Sequence, residues 1–268
     1  MTNDEKIWDD ILIFVNDYVQ NLRSELEGRW KKWAIDFDKL EIYEVIGALL
    51  ARQVTLSTQI ARAPSIWNPH IAPIILRTMI DAHITLAWIF EDAHERSKKF
   101  ILHGLGQEKL NLEHRRAQLE ADGLDPDQDI FIKYREGWLN SQRVTYLTEV
   151  SIGSWSGTDT RAMADEARCL DIYRYAYTPF SAAVHSMWNH IGIFNLQTCE
   201  NPLHRYHKAP VDPDIDIDID NLYWAAKYVS KSFRLFDEKT GIKHNIPSAF
   251  EKLVQHIDNL NEKYFNQP

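Results

Sequence analysis

Arg77 and Asp81 stand four residues apart in the most apolar stretch of the chain, residues 71–90. On a helix that spacing puts both side chains on one face, close enough to pair. Desolvating an ion pair is costly unless further hydrogen bonds satisfy it. Such a pair is therefore either a device that specifies core packing or part of a functional site. His83 follows in the same stretch, six positions after Arg77. An imidazole can move a proton near neutral pH, and a guanidinium can hold a phosphate and the charge that develops on it. Together they suit proton transfer at a phosphate group. Arg96 and His103 form a second, similar pair. About two such matches are expected by chance from 15 arginines and 11 histidines in 268 residues. Placement, rather than the motif, favours Arg77, because charges in an apolar helix need an explanation.

The second unusual segment is Tyr173-Arg-Tyr-Ala-Tyr-Thr-Pro-Phe-Ser181-Ala-Ala-Val-His185. Ser181 and His185 share a face if this segment is helical, with Tyr177 one turn further back. A serine beside a histidine suggests a nucleophile with its base. The competing reading is stronger: helical serine commonly bonds its own backbone, no third group to orient the histidine can be identified, and there is no Gly-x-Ser-x-Gly elbow. Glu91-Asp-Ala-His94 has the step used by di-iron bundles but lacks its second copy. His204 and His207 are placed to bind a metal, yet no Cys or His partner sits at a useful spacing, and no metal or cofactor is expected. The run Asp212-Pro-Asp-Ile-Asp-Ile-Asp-Ile-Asp220 lacks the glycine and terminal glutamate of an EF-hand and reads as a solvated connector. Trp30-Lys-Lys-Trp33 has the makings of a base-stacking patch, but more often such a cluster lids a core.

The elements that must position these residues are helices. Apolar residues recur at three- and four-residue steps, and strand signals are nearly absent. The pattern predicts helices over about 4–28, 40–61, 74–90, 92–121, 129–149, 160–169, 171–194, 221–238 and 247–265. Gly28 is read as a stop, Pro179 as a kink or boundary, Thr160 as a cap beside Asp159, and 199–220 as a long loop. The fold class is all-α: one helical bundle with a core at about 40–195 and helical extensions at both ends, including a C-terminal one at about 219–265.

At 44% hydrophobic and 26% charged the chain has the composition of a folded globular protein. A net charge of −9 excludes a bulk nucleic-acid coat but leaves room for a local basic groove. Stretch 71–90 is long enough to span a bilayer, but Arg77, Asp81 and His83 at its middle argue for a buried core helix and against a membrane protein. The polar, acidic start lacks the pattern of a signal peptide, and two cysteines fit reduced thiols, so a cytoplasmic location is expected.

Arg77-Thr-Met-Ile-Asp81 with Trp88 resembles the Arg-x-x-x-acid helix of a widespread bacterial family of helical proteins, whose members usually carry Glu at the position of Asp81. Thr160-Arg-Ala-Met-Ala164 followed by Tyr173, Tyr177, Ser181 and His185 resembles that family's second block. The resemblance covers roughly 45–191 and neither end. The family is similar to HEPN-type abortive-infection proteins, whose ribonucleases carry an arginine and a histidine four to six residues apart. The resemblance implies a helical bundle, often a homodimer, sometimes a toxin or antiphage component with RNA as substrate and a partner protein from the same defence operon. In that reading Arg77 binds phosphate, His83 or His185 is the acid/base, Asp81 orients Arg77, Ser181 and Tyr177 supply hydrogen bonds, and Trp88 lies against substrate. The alternative is a non-catalytic interaction or sensor protein, in which the same polar residues are a buried structural network.

Overall fold

The computed structural model describes residues 3–142, 154–243 and 247–264. The fold is all-α. Its long helices are α1 (Asn3–Lys32), α2 (Leu40–Arg62), α3 (Ala72–Glu91), α4 (Ala93–Ala121), α5 (Ile130–Asn140), α10 (Asp220–Thr240) and α11 (Ala249–Tyr264). Between α5 and α10 lie the shorter α6 (Thr160–Glu166), α7 (Leu170–Ile172), α8 (Thr178–Val184) and α9 (Trp188–Phe194). A small antiparallel hairpin follows α9: β1 (Leu196–Thr198) pairs with β2 (Lys208–Pro210), Leu196 opposite Pro210.

α3 is the central element. It packs against α2, α10, α6 and α8, and Leu76, Met79, Ile80, Ile84, Leu86 and Ile89 are fully buried. Its length and apolarity match a membrane span, but most of it is covered by neighbouring helices, as the charges predicted. Its start is set by Asn68, whose Oδ1 accepts from the backbone N–H groups of His70 and Ile71 at 3.0 and 3.1 Å, and by Pro73 in the first turn, where a missing N–H costs nothing. The terminal extensions join the same buried cluster: Phe14, Tyr18, Phe233, Phe236 and Leu253 pack with the α2 and α3 residues. α4 and α5 carry a separate, smaller cluster of Leu112, Leu119 and Ile132.

Several boundaries differ from the expected ones. α1 does not stop at Gly28 but continues through the tryptophan-rich segment. Arg29 explains why. Its Nε and Nη2 donate to both carboxylate oxygens of Asp237 at 2.8 Å, and Nη1 donates to Glu25 at 2.8 Å. Tertiary contacts to α10 therefore hold the last turn helical despite the glycine. α5 ends at Asn140, with the Ser141 N–H capping the Gly137 carbonyl. The remainder of that predicted helix from 143 on, and the loop at 151–153, lie outside the described residues. Asp159, not Thr160, caps α6, accepting from Ala162 N at 2.8 Å. The predicted 171–194 helix is broken at 185–187, and Pro179 marks a boundary within it, as expected. Pro179 sits in the first turn of α8, directly after a π-helical turn over Tyr173–Tyr177. There the wider backbone spacing accommodates the missing proline donor. The 199–220 loop starts inside a hairpin. Its acidic run is extended with aspartates exposed and Val211, Pro213 and Ile215 half-buried.

The Trp30–Lys–Lys–Trp33 cluster lids the core: Trp30 and Trp33 both lie against Tyr43, at 3.8 and 4.9 Å between centroids, and Trp33 meets Phe236 at 5.1 Å. Gly47 allows this approach, since a Cβ there would clash with the Trp30 ring. Gly47→Ala is expected to displace Trp30 and to cost about 1–3 kcal/mol. A denaturant titration checks it, together with a change in tryptophan emission.

Candidate functional site

The 160–194 segment runs antiparallel along one face of α3, as three contacts in register show. Glu166 on α6 accepts from Trp88 Nε1 near the C-terminal end of α3. Tyr177 and Ser181 meet Arg77 in its middle. His190 on α9 meets His70 at its start, ring centroids 5.4 Å apart. Residues 77, 81 and 88 fall on one face of α3 by the 3.6-residue repeat, so this face is a polar and aromatic stripe on an otherwise apolar helix, with His70 in the turn just before it.

Arg77 is the centre of the stripe. Its Nε donates to Ser181 Oγ at 3.0 Å, Nη1 donates to Asp81, and the guanidinium lies on the Tyr177 ring with Cζ 3.0 Å from the centroid. Ser181 passes its own proton to the Tyr177 carbonyl at 2.8 Å. A hydroxyl has one proton, so Ser181 accepts from arginine and donates to backbone, and it is not poised as a nucleophile against His185. Tyr177 stacks in turn on Tyr173 at 4.6 Å. The π-turn contributes here: it advances Tyr177 and Ser181 together onto the arginine. Arg77 is 9% exposed, whereas the Asp81 side chain is 44% exposed. The cluster thus opens to solvent on its carboxylate side. Partial burial pushes the Asp81 carboxyl above its usual range, with Arg77 opposing that shift.

The structure divides the other predicted site residues. His83 lies six positions after Arg77, which turns it about 120° away from that face. It is buried against α10, with Nδ1 2.9 Å from Ser232 Oγ. Ser232 gives its proton to the Tyr228 carbonyl at 3.0 Å, so His83 Nδ1 is the donor and the ring is held as one neutral tautomer. Burial lowers its pKa to about 4, helped by Lys231 and opposed by Asp171. Arg77 and His83 therefore do not share a site in this chain. Trp88 stands about 16 Å along the helix from Arg77. It is covered by Arg96, whose Cζ is 3.7 Å from its ring and whose Nη1 donates to the Trp88 carbonyl at 2.6 Å, and by Trp155 edge-on at 5.3 Å. Arg96 is likewise committed, to Glu166 at 3.0 Å. His185 is exposed at the C-terminal end of α8, one turn beyond Ser181.

The His70–His190 pair went unnoticed in the sequence, because His70 lies in the turn before α3 and its partner is far along the chain. His190 is nearly buried, and its pKa is lowered by burial and by the neighbouring His70. Phe194 packs on both rings, at 5.5 and 4.9 Å. The expected lack of partners for His204 and His207 is corrected as well, since the hairpin returns Cys199 to them and the ligand atoms of all three lie within 4.8 Å of one another. Two clefts lie elsewhere. One of about 510 Å³ is between α2 and α4–α5, lined by Glu41, Lys98 and Trp138, and one of about 620 Å³ is between α1 and α2, lined by Arg23, Trp30 and Tyr43. Neither includes a residue of the α3 stripe.

The chain belongs to a family of unknown function (DUF5677), whose match runs over residues 43–201, more than half of the chain. That span takes in α3, the Tyr-rich π-turn, α8 and α9, and so every residue of the stripe. No curated protein and no solved structure matches the chain.

Proposed function

We propose that the protein is a HEPN-like, metal-independent ribonuclease of a toxin or antiphage defence system, acting in the cytoplasm as a homodimer. Its site runs from Arg77 on α3 to His70 in the turn before that helix. The observation that carries this reading is an arginine oriented by Asp81, Ser181 and Tyr177, with the exposed His185 one helical turn after Ser181. In the reaction, His185 takes the proton of the ribose 2′-hydroxyl as that oxygen attacks the adjacent phosphorus. Arg77 holds the phosphate through the guanidinium edge not used by Asp81 and Ser181. The 5′-oxygen leaves with a proton from an imidazolium, and a 2′,3′-cyclic phosphate remains. His83 has no part, and Trp88 belongs to the structural end of the stripe. The test is incubation of purified protein with tRNA, rRNA and mRNA in the presence of a chelator. Cyclic-phosphate ends are expected, and intact RNA in all three would end the reading.

The second reading, a non-catalytic interaction or sensor protein, has a specific observation behind it: Arg77 is 9% exposed and its Nε and Nη1 are spent within the fold. In that case the stripe only pins the Tyr-rich segment to α3, and substitutions along it change stability without any catalytic readout.

A further inference from the structure

We infer that the tip of the β1–β2 hairpin is a transition-metal site, with Zn²⁺ the first choice, in which Cys199, His204 and His207 are the protein ligands. It is separate from the α3 stripe and does not depend on the ribonuclease reading. In sequence the three are an unremarkable Cys-x4-His-x2-His. The hairpin makes them a cluster. Cys199 follows β1 and His207 precedes β2, and the Cys199 N–H closes the loop on the His207 carbonyl at 3.1 Å. Two tight turns then bring the intervening residue back, His204 N to Asn201 O at 3.0 Å and His207 N to His204 O at 3.0 Å.

The result is a soft thiol and two imidazoles with their ligand atoms within 4.8 Å of one another. Cys199 Sγ and His204 Nδ1 are 3.7 Å apart. Zn–S and Zn–N bonds of about 2.3 and 2.0 Å at a tetrahedral angle demand a separation of about 3.5 Å, so this edge is nearly formed. The His204 and His207 rings are 5.5 Å apart at 79°. Asn201 Nδ2 lies 3.3 Å from His204 Nε2, the ring nitrogen turned away from the thiol.

A thiolate with two imidazoles selects zinc, or cobalt as its spectroscopic substitute, over magnesium or calcium, which want oxygen. Three protein ligands leave the fourth position to water or an external group. Coordination takes the thiol proton of Cys199 into solvent, one per ion bound, so affinity rises with pH. Residues 200–208 are exposed and have no core to order them. An ion here supplies that order, and through β1 it steadies α9, which carries His190.

The test uses full-length protein stripped with a chelator and titrated with Co²⁺ alone, then with Zn²⁺ in competition. Expected is one ion per chain, with a thiolate-to-cobalt charge-transfer band and the strong visible absorption of tetrahedral cobalt. Cys199→Ser removes the charge-transfer band, and it, His204→Ala and His207→Ala each weaken binding on the order of 100-fold. Cys169→Ser, which changes the other thiol, leaves both unchanged. Thermal melts of the ion-free proteins should coincide, because the loop is exposed, which separates ligand loss from misfolding. A weak, octahedral-type cobalt spectrum, or equal affinity in Cys199→Ser and wild type, overturns the site.

Discussion

His185→Ala is expected to lower RNA cleavage by a factor of about 10²–10⁴, the usual contribution of a positioned general acid or base, while leaving the melting curve where it was. The two halves of that result have separate causes. His185 is exposed and caps α8 only through its backbone N–H, which alanine keeps, and such exposed substitutions generally stay within about 0.5 kcal/mol. Arg77→Ala should behave differently. It strips Ser181 and Asp81 of their donor and uncovers the Tyr177 face, and it leaves a space beneath the π-turn. Because Asp81 is half open to water, it can rehydrate, so the loss is smaller than for a fully buried pair, about 2–3 kcal/mol. In a chain of this size that is roughly 5–10 °C of melting temperature. Arg77→Lys keeps the charge but not the fork that serves Ser181 and Asp81 together, and it should fall between the two in both readouts. Cleavage by His185→Ala at the wild-type rate would remove the proposed acid/base and with it the ribonuclease reading. Loss of stability without any activity to lose would be the signature of the interaction-protein reading.

The contrast between Arg77 and His83 shows what a one-dimensional pattern can and cannot carry. Arg77–Asp81 is an i,i+4 pair, and helical geometry alone puts its members together. Its partners Tyr177 and Ser181 lie about a hundred residues away, and they could be proposed only from the second block's own spacing. Arg77 and His83 look like one motif, but a six-residue step turns the histidine to α10, where Ser232 receives it. The face of a residue follows from its spacing; which helix covers that face does not. Arg29 is the same lesson in reverse. It sits in a run that reads as a helix end, and only the arrival of Asp237 from α10 reveals why α1 continues. The β1–β2 hairpin was illegible because each strand is three residues long and exposed, with no alternation to detect. The Cys199–His204–His207 cluster went unseen for that reason. What was legible was the bulk of the architecture: α2, α3 and α4 begin and end within about two residues of the expected bounds, since α2 carries a long apolar stripe and proline- and glycine-bearing turns mark the ends of the others.

His83 makes the fold acid-labile in a defined window. In the unfolded chain its imidazole titrates near 6.5; in the folded protein, burial on the inner face of α3 lowers that to about 4. The unfolded state therefore binds the proton first, and stability falls as pH drops through this interval. The contribution is intact above about pH 6.5 and is lost by about pH 4. Two and a half pH units correspond to about 3 kcal/mol for this one group. The charged groups facing the ring act in opposite senses, Lys231 deepening the depression and Asp171 relieving it. His190, also depressed by burial, adds a smaller slope of the same sign. Urea unfolding of wild type and His83→Gln at pH 7 and pH 4.5 isolates the His83 part. Glutamine keeps a donor for Ser232 but cannot be protonated, so the variant should lose clearly less stability than wild type between the two pH values, even if it starts from a lower value at pH 7. Parallel losses in the two proteins would mean that His83 takes up its proton inside the folded state. The ring would then have to be reachable by water from α10, and the tight Ser232–His83 contact would not persist in solution.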